Sequence, residues 1–223
     1  DLSQLKTDSQ LLGEFDVEYI GVEALLFQTG YLTVERTEKR FDEKLFYWLT
    51  YPNHEVRISL NEALIRAFGV DAKTALHTGS GIIKALELNN FEQLLTQLKS
   101  LYASIPHDWY RKNPISNYEG HYASIFYSHF SALGLHLVVE DANSSGKVDM
   151  MIEFNNTIFI FEFKVVEDQP TGAALQQIKE KHYAEKYQGK QFPIYLIGVE
   201  FSKTQKQIIA FETELYRGGA QLG

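Results

Sequence analysis

The sequence contains no cysteine among its 223 residues. This absence excludes disulfides, zinc sites with thiolate ligands and cysteine nucleophiles, and it predicts a protein of the reducing cytoplasm. Long apolar runs are also missing: the longest, such as Ile158–Phe161, fall far short of the roughly 20 residues that a membrane-spanning helix requires. No basic and then apolar leader opens the chain, so we predict neither a signal peptide nor a membrane partner.

An excess of positive charge is missing as well. The chain carries 21 Lys and Arg residues against 29 Asp and Glu residues, a net charge of −8. This balance argues against a protein held on nucleic acid by bulk electrostatics, but not against an enzyme that grips nucleic acid locally. The hydrophobic fraction of 44% excludes wholesale disorder and predicts one sizeable core or two modest ones. Because the chain opens on Asp1 and not on methionine, we expect a fragment or a processed product.

Proline is scarce, with five residues in all, and two of them mark a boundary. Pro106 and Pro114 lie close enough together to end one helix and delay the next. The sequence therefore predicts a first domain over residues 1–112, a second over 113–217 and a loose tail over 218–223.

The first domain has the pattern of a mostly helical region with one hairpin. Helical spacing marks Val22–Gln28 and Val56–Phe68, and a capping box at Asn90 opens a third helix that ends near Leu101. Strand alternation marks Tyr31–Glu35 and Leu45–Thr50. The combination predicts a winged-helix-like region, which could contact DNA or serve only for packing or as a linker.

The second domain has a sharper order. Its predicted elements are a helix over 117–132, strands over 135–140, 147–154 and 157–165, a helix over 172–188, and strands over 194–200 and 207–214. A hairpin followed by a helical crossover predicts an α/β (α+β) fold with a mixed sheet covered by helices.

One predicted strand breaks the rules for buried residues. Thr157–Lys164 is apolar on both faces, as in the centre of a sheet, yet it ends in Glu162 and Lys164. These two residues are separated by one position, so their side chains point to the same face. Because an unpaired buried charge is costly, the violation indicates a functional site.

The register of the hairpin brings a second acid to that face. If Asn155 and Asn156 form a two-residue turn, Asp149 lies opposite Glu162, and Lys147 lies opposite Lys164. Two facing carboxylates repel each other unless one is protonated or a cation lies between them. The pattern therefore predicts a site for Mg²⁺ or Mn²⁺. The alternative is a surface salt-bridge cluster in which the two lysines neutralise the acids.

Such a metal site has a defined chemistry. A divalent cation bound by hard oxygen ligands acidifies a bound water and stabilises charge on a phosphoryl oxygen. A neighbouring lysine can orient the attacking water and stabilise developing negative charge. These features suit the hydrolysis of a phosphodiester.

The residues at this site carry a resemblance to a known family. Lys147-Val148-Asp149, followed after twelve residues by Glu162-Phe163-Lys164, resembles the D…E-x-K signature of the PD-(D/E)XK nuclease superfamily. The α-β-β-β-α-β order is similar to that superfamily's restriction-endonuclease-like core. Four stretches resemble, more closely, the nuclease domain at the C-terminus of bacterial AAA-ATPase-like proteins: Tyr118–Tyr122, Gly146–Asp149, Phe161–Lys164 and Gln177–Tyr183.

The resemblance implies a role for each of five residues. Asp149 and Glu162 would be metal ligands, Lys164 the catalytic lysine, and Glu119 an acid of the first helix that helps to hold metal or water. Gln177 would lie near the site on the helix after the third strand. The implied substrate is nucleic acid, most simply DNA.

A further stretch, Tyr51–Arg57, resembles the segment that joins the ATPase to that nuclease, which implies an ATPase module upstream of the chain as a partner. The sequence departs from the named patterns at two points. Val148 replaces the proline of the motif, and no Walker A loop occurs in this chain, so any ATPase module lies upstream of it or is missing. The competing hypothesis is that the nuclease fold has become catalytically silent and binds a protein or nucleic acid.

Several of these residues have simpler interpretations. Ser116 and Glu119 also form a capping box, so Glu119 could close a helix start, and Gln177 could be a polar core residue. Four residues fall along one helical stripe that could follow a phosphate backbone or simply face solvent: Lys179, His182, Lys186 and Lys190.

Two other patterns are expected to have no functional role. Thr78–Gly81 is similar in composition to a phosphate loop, but it has no lysine and no preceding strand, so we predict a turn. His121 and His129 lie on one predicted helix face without zinc spacing, so we expect packing residues.

Overall fold

The structure, a computed structural model, describes residues 2, 5–8, 12–13, 20–41, 43–106, 119–143 and 146–217, without the side chains of residues 141–143. The chain divides into two compact units, Asp1–Asn61 and Glu62–Gly223. The domain boundary predicted at residue 112 and the tail predicted over 218–223 lie outside the described residues. The predicted division into domains therefore stays a prediction.

The first unit is built around a small antiparallel sheet. Its elements are β1 (Leu5–Asp8), α1 (Val22–Gln28), β2 (Thr33–Lys39), β3 (Leu45–Thr50) and the first half of α2 (His54–Ala67). The strands lie in the order β1-β3-β2. The prediction of α1, of α2 and of the strand pair is confirmed, although β2 begins and ends later than predicted. β1 was not predicted, because four residues are too few to show a period.

The second unit contains a mixed five-stranded sheet flanked by helices. Its elements are α3 (Ala72–Glu87), α4 (Phe91–Ala103), α5 (Glu119–Ala132), β4 (His136–Asn143), β5 (Gly146–Phe154), β6 (Thr157–Val166), α6 (Ala173–Glu180), a 3₁₀ helix (Tyr183–Lys190), β7 (Ile194–Ser202) and β8 (Ile208–Leu215). The strands follow chain order across the sheet, and only β6 and β7 are parallel. The predicted α/β (α+β) class with a mixed sheet is confirmed.

Two apolar clusters cover the two faces of this sheet. On one face, Phe126 of α5 packs against Phe161 and Phe163 of β6, with ring centroids 4.9 and 5.0 Å apart. On the other face, Ile178 of α6 packs into a cluster with Ile160. β6 is therefore buried on both sides, as its sequence predicts, and each buried large apolar side chain contributes about 1.5–3 kcal/mol. Polar groups at the end of such a strand are held in a fixed, largely dry environment.

The predicted turn at Thr78–Gly81 is wrong, because these residues lie inside α3. The small residues serve close packing: a Cβ at Gly79 would lie 2.5 Å from Leu133 Cδ2. The hydroxyl of Thr78 donates a hydrogen bond to the carbonyl of Thr74, which satisfies it within the helix. A run whose composition is typical of a loop is thus part of α3, and the small size of Gly79 lets Leu133 pack closely against that helix.

The helix predicted over 172–188 is also shorter than expected. α6 ends at Glu180, His182 adopts a left-handed conformation with φ of 53°, and the chain continues as the 3₁₀ helix. The start predicted for α5 at residue 117 and the cap at Ser116 lie outside the described residues. In the part of the chain that the structure describes, no helix has both the length and the apolar character needed to cross a membrane.

Candidate active site

The β5–β6 hairpin has the predicted register. Asn155 and Asn156 form its turn with φ angles of 48° and 55°, a conformation that asparagine tolerates. Phe154 pairs with Thr157, and the ladder runs to the pair of Met150 and Phe161. The predicted register, in which Asp149 would lie opposite Glu162, is therefore correct up to the last paired residues.

Beyond that pair, side chains take over the hydrogen bonding between the two strands. The backbone N–H of Phe163 donates to Asp149 Oδ2 at 2.8 Å, and the N–H of Asp149 donates to Glu162 Oε2 at 3.4 Å. The two carboxylates are thus held side by side at the end of a buried hairpin. Each carboxylate accepts a hydrogen bond from a backbone N–H of the strand that carries the other carboxylate.

The two lysines of the predicted cluster have different environments. Lys164 Nζ lies 3.5 Å from Glu162 Oε1 and 3.4 Å from Glu119 Oε2, so it bridges an acid of β6 and the first residue of α5. Lys147, in contrast, is exposed and pairs with Glu140 at 3.1 Å. The interpretation as a surface cluster neutralised by both lysines is therefore wrong for Lys147. Of these two lysines, Lys164 contacts the carboxylates of the site and Lys147 does not.

Gln177 contacts Glu162 from a helix that packs on the sheet. It lies on α6, and its side-chain amide donates a hydrogen bond to Glu162 Oε1. The helix can approach this closely because Gly198, which pairs with Glu162 across β6 and β7, has no side chain. A Cβ at Gly198 would lie 2.4 Å from the backbone nitrogen of Leu175 in α6.

Glu200, a residue not predicted to have a role, also positions α6. This fully buried residue of β7 accepts hydrogen bonds from the N–H of Thr171 at 2.6 Å, from the Thr171 hydroxyl at 2.7 Å and from the N–H of Ala174 at 3.4 Å. Burial opposes the charge of Glu200, but these donors lower its pKa below the ordinary value. An isolated acid in the otherwise apolar stretch 194–201 was the signal that could have found it.

The electrostatics of the paired carboxylates differ from those of surface acids. Burial and then repulsion from Asp149 raise the pKa of Glu162 to about 7. Burial also raises the pKa of Asp149, against the opposing effects of the Phe163 N–H and of Lys164. Burial alone would lower the pKa of Lys164, but the carboxylates around it raise that pKa above the ordinary value. The half-buried Lys164 thus faces more negative charge than it can neutralise.

This surplus of negative charge around Lys164 fits a divalent cation. Mg²⁺ commonly uses one or two carboxylates and keeps several waters, so Asp149 and Glu162 suffice as protein ligands. Among the described residues, no group of three His, Asp or Glu side chains is arranged to hold a metal ion. The role of Glu119 as a third ligand stays a prediction, because its carboxylate contacts Lys164.

The simpler interpretations of other residues gain support. Lys179 pairs with Glu214 at 2.8 Å, and Lys190 pairs with Glu153, which favours a solvated face over a phosphate track. His121 and His129 are buried in packing positions, and burial lowers the pKa of each to about 4.

Comparison with known proteins supports the resemblance. Residues 117–211 match the PD-(D/E)XK nuclease superfamily. A protein of Azotobacter chroococcum mcd 1, named "Uncharacterized protein in vnfD 5'region", is 47% identical over 213 residues. The alignment covers 96% of this chain but only 41% of that relative. No solved structure matches the chain.

Proposed function

We propose that the chain is a metal-dependent nuclease that hydrolyses phosphodiester bonds in DNA, with Mg²⁺ or Mn²⁺ as the cofactor. The observation that supports this proposal is the pair of half-buried Asp149 and buried Glu162, with Lys164 Nζ 3.5 Å from Glu162. A domain without chemistry has no need for two adjacent acids that are shielded from solvent, because shielding raises the free energy of their ionised forms.

Each residue has a distinct task in this proposal. Asp149 and Glu162 would hold the metal, which when bound acidifies a water and neutralises charge on the phosphate. Lys164 has three N–H donors, of which two are directed to Glu162 and Glu119, so one remains for the attacking water or a phosphate oxygen. Gln177 keeps Glu162 in place. The P–O bond to the leaving group breaks as the water oxygen bonds to phosphorus.

Coupling to an upstream ATPase module is a further part of the proposal. It is supported by the resemblance of residues 51–57 to a joining segment. Cleavage by the chain alone, without nucleotide, would show that such a module is not required for the chemistry.

The first experiment is calorimetric titration of Mn²⁺ into the wild type, Glu162→Gln and Glu214→Gln. Glu214→Gln is the matched control, because it removes an exposed carboxylate of the same sheet, on β8, that pairs with Lys179. We expect binding in the wild type and in the control, and at least a tenfold loss of affinity in Glu162→Gln. Incubation with plasmid and with single-stranded DNA should then give cleavage only in the two proteins that bind Mn²⁺.

Two results would contradict the proposal. Equal Mn²⁺ affinity in Glu162→Gln and the wild type would place any metal elsewhere. Metal binding without cleavage of DNA or RNA, with or without ATP, would leave a silent module as the better description.

A further inference from the structure

The sheet of the first unit has one packed face and one open face. Thr7 and Leu49, on one side, are buried. Cross-strand pairing places on the other side Lys6 and Arg36 opposite Trp48, and Asp8 and Glu38 opposite Phe46. With the adjoining Arg40, the residues of this open side form the basic–aromatic face: Lys6, Asp8, Arg36, Glu38, Arg40, Phe46 and Trp48.

The cations of this face lie over its rings. The guanidinium of Arg36 is 4.3 Å from the Trp48 centroid, and Lys6 Nζ is 4.8 Å from the Phe46 centroid. Arg40 lies 5.7 Å from the same Phe46 ring. Three cations against two carboxylates leave the face positive, although the chain as a whole carries −8. The two rings remain only half-buried.

This arrangement matches the requirements of single-stranded nucleic acid. Such ligands are held by aromatic rings on which bases stack and by cations that contact the backbone. An exposed cation–π contact contributes only about 0.5–1 kcal/mol, and an exposed ion pair, such as that of Lys6 with Glu38 at 2.9 Å, contributes about 0–1 kcal/mol. A cation of this face can therefore exchange these contacts for a phosphate at little cost. Base stacking on the vacated ring contributes about 1–3 kcal/mol.

The spacing of the rings selects unpaired strands. Phe46 and Trp48 are alternate residues of one strand, and their positions lie about 6.6 Å apart. That is roughly twice the 3.4 Å spacing of stacked bases in a duplex strand. Two neighbouring bases can therefore reach both rings only when the strand is extended and unpaired.

We propose that the basic–aromatic face binds single-stranded nucleic acid, with bases on its two rings and phosphates on its three cations. This inference extends the proposed nuclease function by naming the form of the substrate. It concerns binding by the first unit, so it can be tested with cleavage prevented.

The test is the fluorescence anisotropy of a labelled 20-nucleotide oligo(dT) in EDTA, with Arg36→Gln/Arg40→Gln compared with the wild type. We expect about tenfold weaker binding in the double variant. Lys39→Gln is the matched control, because Lys39 is also a cation of β2 but pairs with Leu45 on the other side of the sheet. It should bind within twofold of the wild type, and thermal unfolding should show that all three proteins are folded.

Trp48 supplies a direct readout of stacking. Trp109 is the second tryptophan of the chain, so in Trp109→Phe the tryptophan fluorescence comes from Trp48 alone. Oligo(dT) should quench this emission, and a duplex of equal length should bind at least tenfold more weakly. Unchanged emission, unchanged affinity in the double variant, or equal affinity for the duplex would each overturn the inference.

The outcomes separate this inference from the proposed hydrolysis. If Glu162→Gln and the wild type bind oligo(dT) equally and neither cleaves it, only the nuclease proposal fails. If the wild type cleaves DNA while Arg36→Gln/Arg40→Gln binds oligo(dT) normally, only the proposed binding face fails.

Discussion

Three features of its surroundings act on the carboxylate of Glu162. It is 1% exposed, it adjoins Asp149, and it still accepts hydrogen bonds from Gln177 and from the Asp149 backbone. Burial and like charge favour its neutral form, whereas Lys164 favours its ionised form. The balance makes Glu162 sensitive to proton concentration near neutrality.

This balance predicts the pH dependence of stability in EDTA. The pKa of Glu162 is raised from 4.5 to about 7, so between these values the folded protein holds a proton that the unfolded chain releases. The free energy of unfolding should therefore fall as pH rises from about 4.5 to 7, by roughly 2–3 kcal/mol. Urea unfolding of the wild type and Glu162→Gln at several pH values measures the difference. A wild type that gains stability relative to the variant over this range would contradict the prediction.

Lys164→Met separates the chemistry from metal binding. Methionine keeps the apolar stem but removes the donor near Glu119 and Glu162, so we expect cleavage to slow about 100- to 1,000-fold. Mn²⁺ affinity measured by calorimetry should persist, because Lys164 is not a ligand in the proposal. Lys147→Met, at an exposed position, should cleave at the wild-type rate. Equal rates in both variants would remove Lys164 from the mechanism.

At the scale of elements, α6 depends on the sheet beneath it. With eight residues it is too short to be a stable helix by itself. Glu200 of β7 binds its first turn, and Gly198 leaves room for its backbone. The position of Gln177 is therefore set by two residues of a different element.

Gly198→Ala should lower stability and cleavage together. The added methyl group would lie 2.4 Å from the Leu175 nitrogen, so α6 must shift and carry Gln177 away from Glu162. We expect a loss of about 1–3 kcal/mol, measured by urea unfolding, and slower cleavage. Gly189→Ala is the control, because no atom lies within 4 Å of its added Cβ. Wild-type stability of Gly198→Ala would contradict the prediction, because it would show that α6 accommodates the added methyl group.

The elements differ in how well the sequence predicts them. The β5–β6 hairpin is predictable because Asn155 and Asn156 fix a turn and every later pair follows from it. The helical state of Thr78–Gly81 is not, because its glycines serve close packing with residues distant in sequence: Gly79 with Leu133, and Gly81 with Gln97. The role of Glu200 also escapes prediction, since its partner Thr171 is 29 residues away.

At the scale of the whole molecule, local charge must overcome the global charge. The net charge of −8 repels a polyanion, so binding must rely on a small number of cations. A few contacts give a moderate and measurable salt dependence.

The salt dependence of oligo(dT) binding should count those contacts. Three phosphate contacts predict roughly a 20-fold loss of affinity between 50 and 200 mM salt. Arg36→Gln should reduce the slope of log affinity against log salt by about 0.7, and Lys39→Gln should leave it unchanged. Anisotropy titrations at four salt concentrations give these slopes. Equal slopes in the two variants would show that Arg36 contacts no phosphate.

The hydrogen bond from the Phe163 N–H to Asp149 gives the site its own spectroscopic reporter. This amide donates to the side-chain carboxylate of Asp149, so its proton chemical shift depends on the charge that Asp149 carries. In a ¹⁵N–¹H correlation spectrum, one backbone signal from the C-terminal half of β6 should thus move when a cation reaches the carboxylates. Occupancy could then be followed in solution before any substrate is added.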